Sequence, residues 1–94
     1  MHKVFRWNPE KNKKLKPERD ISFEEIVFCI ENSALVDIID HPNQQKYNGQ
    51  KMYLVNVNEY VHVIPFVESD DEIFLKTIYP SREYTKIYLK EVIL

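Results

Sequence analysis

The seven residues Lys76-Thr77-Ile78-Tyr79-Pro80-Ser81-Arg82 bring together two cations, a tyrosine and a serine able to open a helix. An apolar strand, Ile73 to Ile78, runs into Pro80, and Ser81 then caps a helix whose first residue is Arg82. A cation in a first helical turn opposes the macrodipole and costs some tenths of a kcal/mol. The placement has a reason if an anion binds beside it, because helix N-termini attract phosphate. The alternative is a surface arginine paired with Glu83 or another acid. Lys76 interrupts the apolar run, as a second phosphate ligand or as the solvent face of a half-exposed strand. Tyr79 can stack on a base or donate to a phosphate. Tyr84 is expected to pack in the core.

His62 lies between Val61 and Val63 and so points to the opposite face. An imidazole titrates near neutrality and suits a general base for RNA cleavage. The competing reading is a histidine hydrogen-bonded on the sheet surface. His41, in a polar loop before a proline, reads as solvated. His2, His41 and His62 have no spacing that would organise a metal site, so neither metal nor cofactor is expected. With one glycine, Gly49, no phosphate-cradling loop can form. Cys29 falls on an apolar helix as a small inert thiol. A lone cysteine makes no internal disulfide, which fits a reducing, cytoplasmic setting.

The net charge of −2 conceals three blocks. Residues 1–20 carry seven Lys/Arg against three Asp/Glu, residues 21–75 carry two against ten, and residues 76–94 carry four against two. If the two ends meet, they make a basic face on an acidic body, the footprint of a polyanion binder. Solvated lysines on a polar helix are the simpler alternative.

The elements that must position these groups follow from pattern and punctuation. The 94 residues make one domain, 1–94. Its 44% hydrophobic and 30% charged residues read as a folded globule. No apolar run reaches a membrane span, and no secretory signal is expected. Met1 to Trp7 reads as a strand with Val4 on one face and Phe5 and Trp7 on the other. Asn8-Pro9-Glu10 starts a polar helix over Pro9 to Lys16, anchored by Leu15 and ended by Pro17. Ser22-Phe23-Glu24-Glu25 is a capping box, and Phe23, Ile26, Val27 and Ile30 form one apolar stripe on a helix reaching about Asn32. Strands follow at Ala34 to Ile39, Lys51 to Val57, Tyr60 to Val67 and Ile73 to Tyr79, with turns at Asn48-Gly49, Asn58-Glu59 and the acidic 68–71. A last helix shows Tyr84, Ile87, Tyr88 and Val92 on one face. The short gaps predict an antiparallel meander. The fold class is α+β: an antiparallel sheet of four to five strands with helices packed on it in two layers.

Phe5, Trp7, Asn8 and Lys11, followed by Ile21, Ser22, Phe23, Glu24 and Glu25, form a pattern that resembles the start of BrnT-type toxins. Pro80, Ser81, Arg82, Thr85 and Tyr88 are similar to that family's closing pattern. The resemblance implies a RelE-like fold and a toxin of a type II toxin–antitoxin pair. Such a toxin inhibits translation as a metal-independent endoribonuclease and is neutralised by a small DNA-binding antitoxin, as a homodimer or a hetero-oligomer. Glu18-Arg19-Asp20 stands where the family commonly has Lys-His-Gly, so either Arg19 substitutes for the histidine or activity is reduced or absent. On this reading Arg82, assisted by Lys76 and Arg19, takes the phosphate oxygens, and His62 with a tyrosine supplies acid and base. Lys11, Lys13, Lys14 and Lys16 hold the RNA backbone, and Tyr79 contacts RNA. The amino-terminal lysines and the start of the last helix are expected to line one pocket. The alternatives are a non-catalytic RNA- or protein-binding module of the same fold, favoured by Glu18-Arg19-Asp20, and a structural protein serving assembly.

Overall fold

The computed structural model describes residues 3–89. It begins with a short strand, β1 (Val4–Arg6), whose Phe5 faces the core while Val4 is exposed. Asn8 then caps α1 (Pro9–Arg19), its side-chain oxygen accepting from the Glu10 and Lys11 amides at 2.9 and 3.2 Å. Pro17 does not end this helix, contrary to expectation. The chain continues one turn, leaving the Lys13 carbonyl without its helical donor, and stops at Asp20, whose φ of 55° is left-handed. Leu15 is the one buried side chain of α1.

Ser22 caps α2 (Phe23–Glu31) through the Glu25 amide, as the capping box predicts. Asn12 of α1 holds the start of α2, accepting from the Phe23 amide at 2.8 Å and donating to Glu24 at 2.7 Å. That hydrogen bond is the main reason the Glu24 carboxyl lies below the ordinary carboxylate range. Phe23 and Ile26 are fully buried, with Val27 and Ile30 packed around them.

The strands that follow are β2 (Leu35–Asp40), β3 (Lys51–Val57), β4 (Tyr60–Glu68), β5 (Glu72–Leu75) and β6 (Tyr79–Pro80). β3 and β4 form a hairpin closed by Asn58-Glu59, with φ of 53° and 66°. Positive φ at both central residues marks the primed turn that suits strand twist. The Asn56 side chain fixes it by accepting from the Glu59 amide at 2.9 Å. Gly49, at φ 78°, sits in a turn from Tyr47 to Gln50 that only a residue without Cβ adopts freely.

Two features of the expected architecture are corrected. Among the described residues the sheet has six strands in the order β1-β5-β4-β3-β2, with β6 also on β4, and it is mixed: β1 runs parallel to β5. Gap lengths report neighbours in sequence, so they could not reveal a pairing between the chain's first strand and its fifth. The helices also do not share one face. α1 and α2 cover the side bearing Tyr53, Val55, Ile64, Phe66 and Leu75. The last helix, α3 (Arg82–Tyr88), lies on the other side, over Met52, Leu54, Val61 and Val63. Met52-Tyr53-Leu54-Val55 are all buried, and a strand apolar on both faces needs a cover on both. The domain is therefore α+β with a layer on each side of a mixed sheet.

Within α3, Tyr84 packs as expected, but Ile87 is 57% exposed and Thr85 is the buried residue. Val92 lies outside the described residues. No helix among the described residues is long and apolar enough to cross a membrane.

Candidate functional site

The strand expected over residues 73–79 is interrupted. Leu75 pairs with Phe66 and Tyr79 with Val63, so three residues, Lys76 to Ile78, lie opposite two, Ile64 and Pro65. One extra residue is a bulge, and it changes which side chains share a face. Leu75 and Ile78 would point oppositely in a regular strand; here both are buried on the α1/α2 side. Tyr79 turns to the α3 side, where its hydroxyl lies 3.9 Å from the Met52 sulfur. The Lys76 amide still bonds the Pro65 carbonyl at 2.8 Å, while its side chain is exposed.

Two clefts meet at this bulge. One, of about 310 Å³, is lined by Lys11, Lys14, Leu15, Glu18 and Arg19 of α1 and by Thr77. Lys11, Lys14, Leu15 and Glu18 fall at i, i+3, i+4 and i+7, so they share one helix face. The other, of about 380 Å³, is lined by Lys11, His41, Tyr47, Gln50, Pro65, Lys76, Thr77 and Tyr79. Lys11 and Thr77 belong to both, which makes the clefts adjoin. Lys11, Lys14, Arg19 and Lys76 have no acidic partner within 4 Å among the described residues. The Arg19 guanidinium donates to the Ile78 carbonyl, tying the end of α1 to the bulge.

Arg82 is not part of this arrangement. It opens α3 on the far side of the sheet and lines a separate cleft of about 280 Å³ with Tyr60, Thr85 and Lys86. The single anion pocket expected from the two ends of the chain is therefore not formed, since α1 and α3 pack on opposite faces. His62 is also apart. It points to the α1/α2 side opposite Val55 and Pro80, half-buried, with its Nδ1 3.1 Å from the Tyr60 carbonyl. It lines neither of the adjoining clefts. Burial lowers its pKa, an effect partly offset by the hydrogen bond to Tyr60.

Two of the four α1 lysines also fall away. Lys16 is held by Glu25 at 2.8 Å and Asp20 at 3.7 Å, and its pKa is raised chiefly by the bond to Glu25. Lys13 is exposed on α1 but lines neither cleft.

His41, expected to be merely solvated, lines the second cleft, as do Tyr47, Gln50 and Thr77, to which sequence reasoning gave no role. His41 and Tyr47 come from the loop between β2 and β3, their rings 4.2 Å apart and 30° from parallel. The Asn43 amide donates to His41 Nδ1 at 3.1 Å, so a neutral ring carries its proton on Nε2. Gln44 stiffens the loop, donating to the His41 and Gln50 carbonyls and accepting from the Gly49 amide. The available signal was an aromatic and a histidine in a long loop, where binding residues concentrate.

Chemically, the adjoining clefts offer cations, an imidazole and phenol groups along one edge, which suits a phosphate-bearing chain more than a neutral ligand. No group of three or more His, Cys, Asp or Glu positioned to hold a metal occurs among the described residues. Comparisons with protein-family models, with curated proteins and with solved structures found no significant match.

Proposed function

We propose that this chain binds RNA along the two adjoining clefts, as a non-catalytic module with a RelE-like, BrnT-type fold. The observation that carries the reading is the gathering of Lys11, Lys14, Arg19 and Lys76, free of acidic partners within 4 Å among the described residues, around one bulged strand. Cations so arranged gain by releasing counterions from a phosphate backbone. The order strand, two helices, antiparallel strands, helix supports the family resemblance. A small DNA-binding antitoxin is the protein partner that this resemblance implies.

A second reading, a metal-independent endoribonuclease toxin, is favoured by one observation: His41 lines the same cleft as Lys11 and Lys76. In that chemistry the 2′-hydroxyl passes its proton to a water molecule as its oxygen attacks the adjacent phosphorus, and the 5′-oxygen leaves and takes a proton from solvent. Lys11 and Lys76 offset the charge that builds on the phosphorane, and the His41 Nε2–H hydrogen-bonds the leaving oxygen. Removing one such cation typically costs about 10²–10³ in rate. Arg82 and His62 have no part in this version.

The test compares wild type, Lys76→Ala and Arg82→Ala. Binding of a labelled single-stranded RNA is measured at low salt, alongside growth and RNA integrity after induction. The binding reading expects Lys76→Ala to weaken the complex several-fold and Arg82→Ala to leave it unchanged. Loss of binding with Arg82→Ala alone, or no RNA binding by the wild type, sinks it. Growth arrest with RNA cleavage, relieved by Lys76→Ala, selects the second reading over the first.

A further inference from the structure

The cleft beneath the β2–β3 loop differs from its neighbour on α1. The α1 cleft is walled by charged side chains, whereas this one combines two ammonium groups with an aromatic wall. We propose that it is a nucleotide subsite, taking one phosphate at Lys11 and Lys76 and the attached base against the His41–Tyr47 pair. The inference rests on the RNA reading above and names the unit of RNA that this end of the track accepts.

Three features support it. The volume, about 380 Å³, falls at the lower end of the range for small-molecule sites, roughly 300–1,000 Å³, and suits a mononucleotide. The aromatic wall is preformed: the His41 and Tyr47 rings lie 4.2 Å apart, tilted by 30°, and the Asn43 amide fixes the imidazole. Base–aromatic stacking tolerates any base, which suits a wall with few directional groups. The polar groups that remain are few. The Tyr79 hydroxyl has only the Met52 sulfur at 3.9 Å as a partner, and His41 Nε2–H makes no hydrogen bond among the described residues.

An apolar peptide would find little here, since two lysines line the cleft. Inorganic phosphate would use the lysines but leave the aromatic wall empty. The ligand chemistry that satisfies both parts is a phosphate covalently joined to a planar base.

The experiment is a titration of isotope-labelled protein with 5′-AMP, adenosine and inorganic phosphate, read by amide chemical shifts, beside anisotropy of a labelled octaadenylate. AMP is expected to shift the amides of Tyr47, Gln50 and Thr77, and to bind at least about tenfold more tightly than adenosine or phosphate alone. Tyr47→Ala, checked for a dispersed native spectrum, should weaken AMP by about tenfold and leave phosphate binding unchanged. Lys76→Ala should weaken both. If the octamer binds but AMP fails to shift these amides, the subsite is overturned while the RNA reading stands. If AMP shifts them and the octamer does not bind, the subsite stands as a free-nucleotide site and the RNA reading falls. Equal binding of AMP and phosphate, unaffected by Tyr47→Ala, reduces the cleft to an anion site and overturns the proposal.

Discussion

The Lys76 ammonium and the His62 imidazole illustrate how differently two residues one strand apart can be used. Lys76 sits at a bulge, exposed, with its backbone held by Pro65 and its side chain free to meet an anion. His62 is taken out of water, which favours its neutral form, so its pKa lies below the ordinary 6.5. The unfolded chain therefore binds the proton more readily than the folded one in the window just below pH 6.5. Stability is fully present above that value and falls as the pH drops from it toward the lowered folded pKa. His62→Gln is expected to flatten this loss. The check is the urea midpoint at pH 7.5 and 5.5, where wild type should lose more than the variant. An equal loss in both would mean that His62 is not the group responsible. The paired carboxylates Glu25 and Glu68 are held below their usual range and titrate in a lower window, so they do not obscure the comparison.

At the scale of elements, α3 and α1 are attached by opposite devices. α3 is short, and beside the packing of Tyr84 on the sheet and the bond from the Tyr88 hydroxyl to Asp37, it is held by one buried hydroxyl. Thr85 Oγ1 accepts from the Val61 amide at 2.8 Å and donates to the Ser81 carbonyl at 2.7 Å, joining helix, cap and β4. Thr85→Val keeps the shape but leaves a buried N–H without a partner, a cost of about 1–3 kcal/mol. Equilibrium denaturation should report that loss, with binding of RNA at Lys76 retained under native conditions. α1, by contrast, has one buried apolar side chain and depends on its cap, on Asn12 and on the Arg19 bond to Ile78. A helix so polar is positioned by its ends, which leaves Lys11 and Lys14 toward solvent. The helix starts were legible in sequence because Asn8, Ser22 and Ser81 act on amides two to three residues away. The end of α1 was not, because tertiary contacts outweighed the usual effect of Pro17.

Over the whole molecule, the overall charge of −2 is no guide to what the protein meets. The cations of α1 and of the bulge adjoin through Lys11 and Thr77, so a polyanion approaching that edge encounters a local positive field. Each phosphate neutralised on a single strand contributes roughly −0.7 to the slope of log K against log salt. Four engaged cations predict a slope of about −3, and Lys76→Ala should reduce it by about 0.7. Anisotropy titrations between 50 and 300 mM salt, on the order used for such slopes, would measure it. A flat dependence would remove electrostatics as the basis of binding. The core beneath is divided by the sheet. Trp7 on Phe23 and Tyr53 on Phe66 stack under α1 and α2. Phe23→Ala there should cost about 3–5 kcal/mol in denaturation experiments.

The local order of the chain was determined by the sequence itself: capped helix starts, the Asn58-Glu59 hairpin and the succession of strands. These signals act over a few residues, where φ/ψ preference and amide satisfaction decide the outcome. Which cations share a cleft was decided only by the tertiary structure. Side-chain direction along a strand alternates, so one extra residue between Leu75 and Tyr79 reverses every face beyond it. That reversal, with α3 covering the side opposite α1, sends Arg82 away from Lys11 and brings the β2–β3 loop in its place.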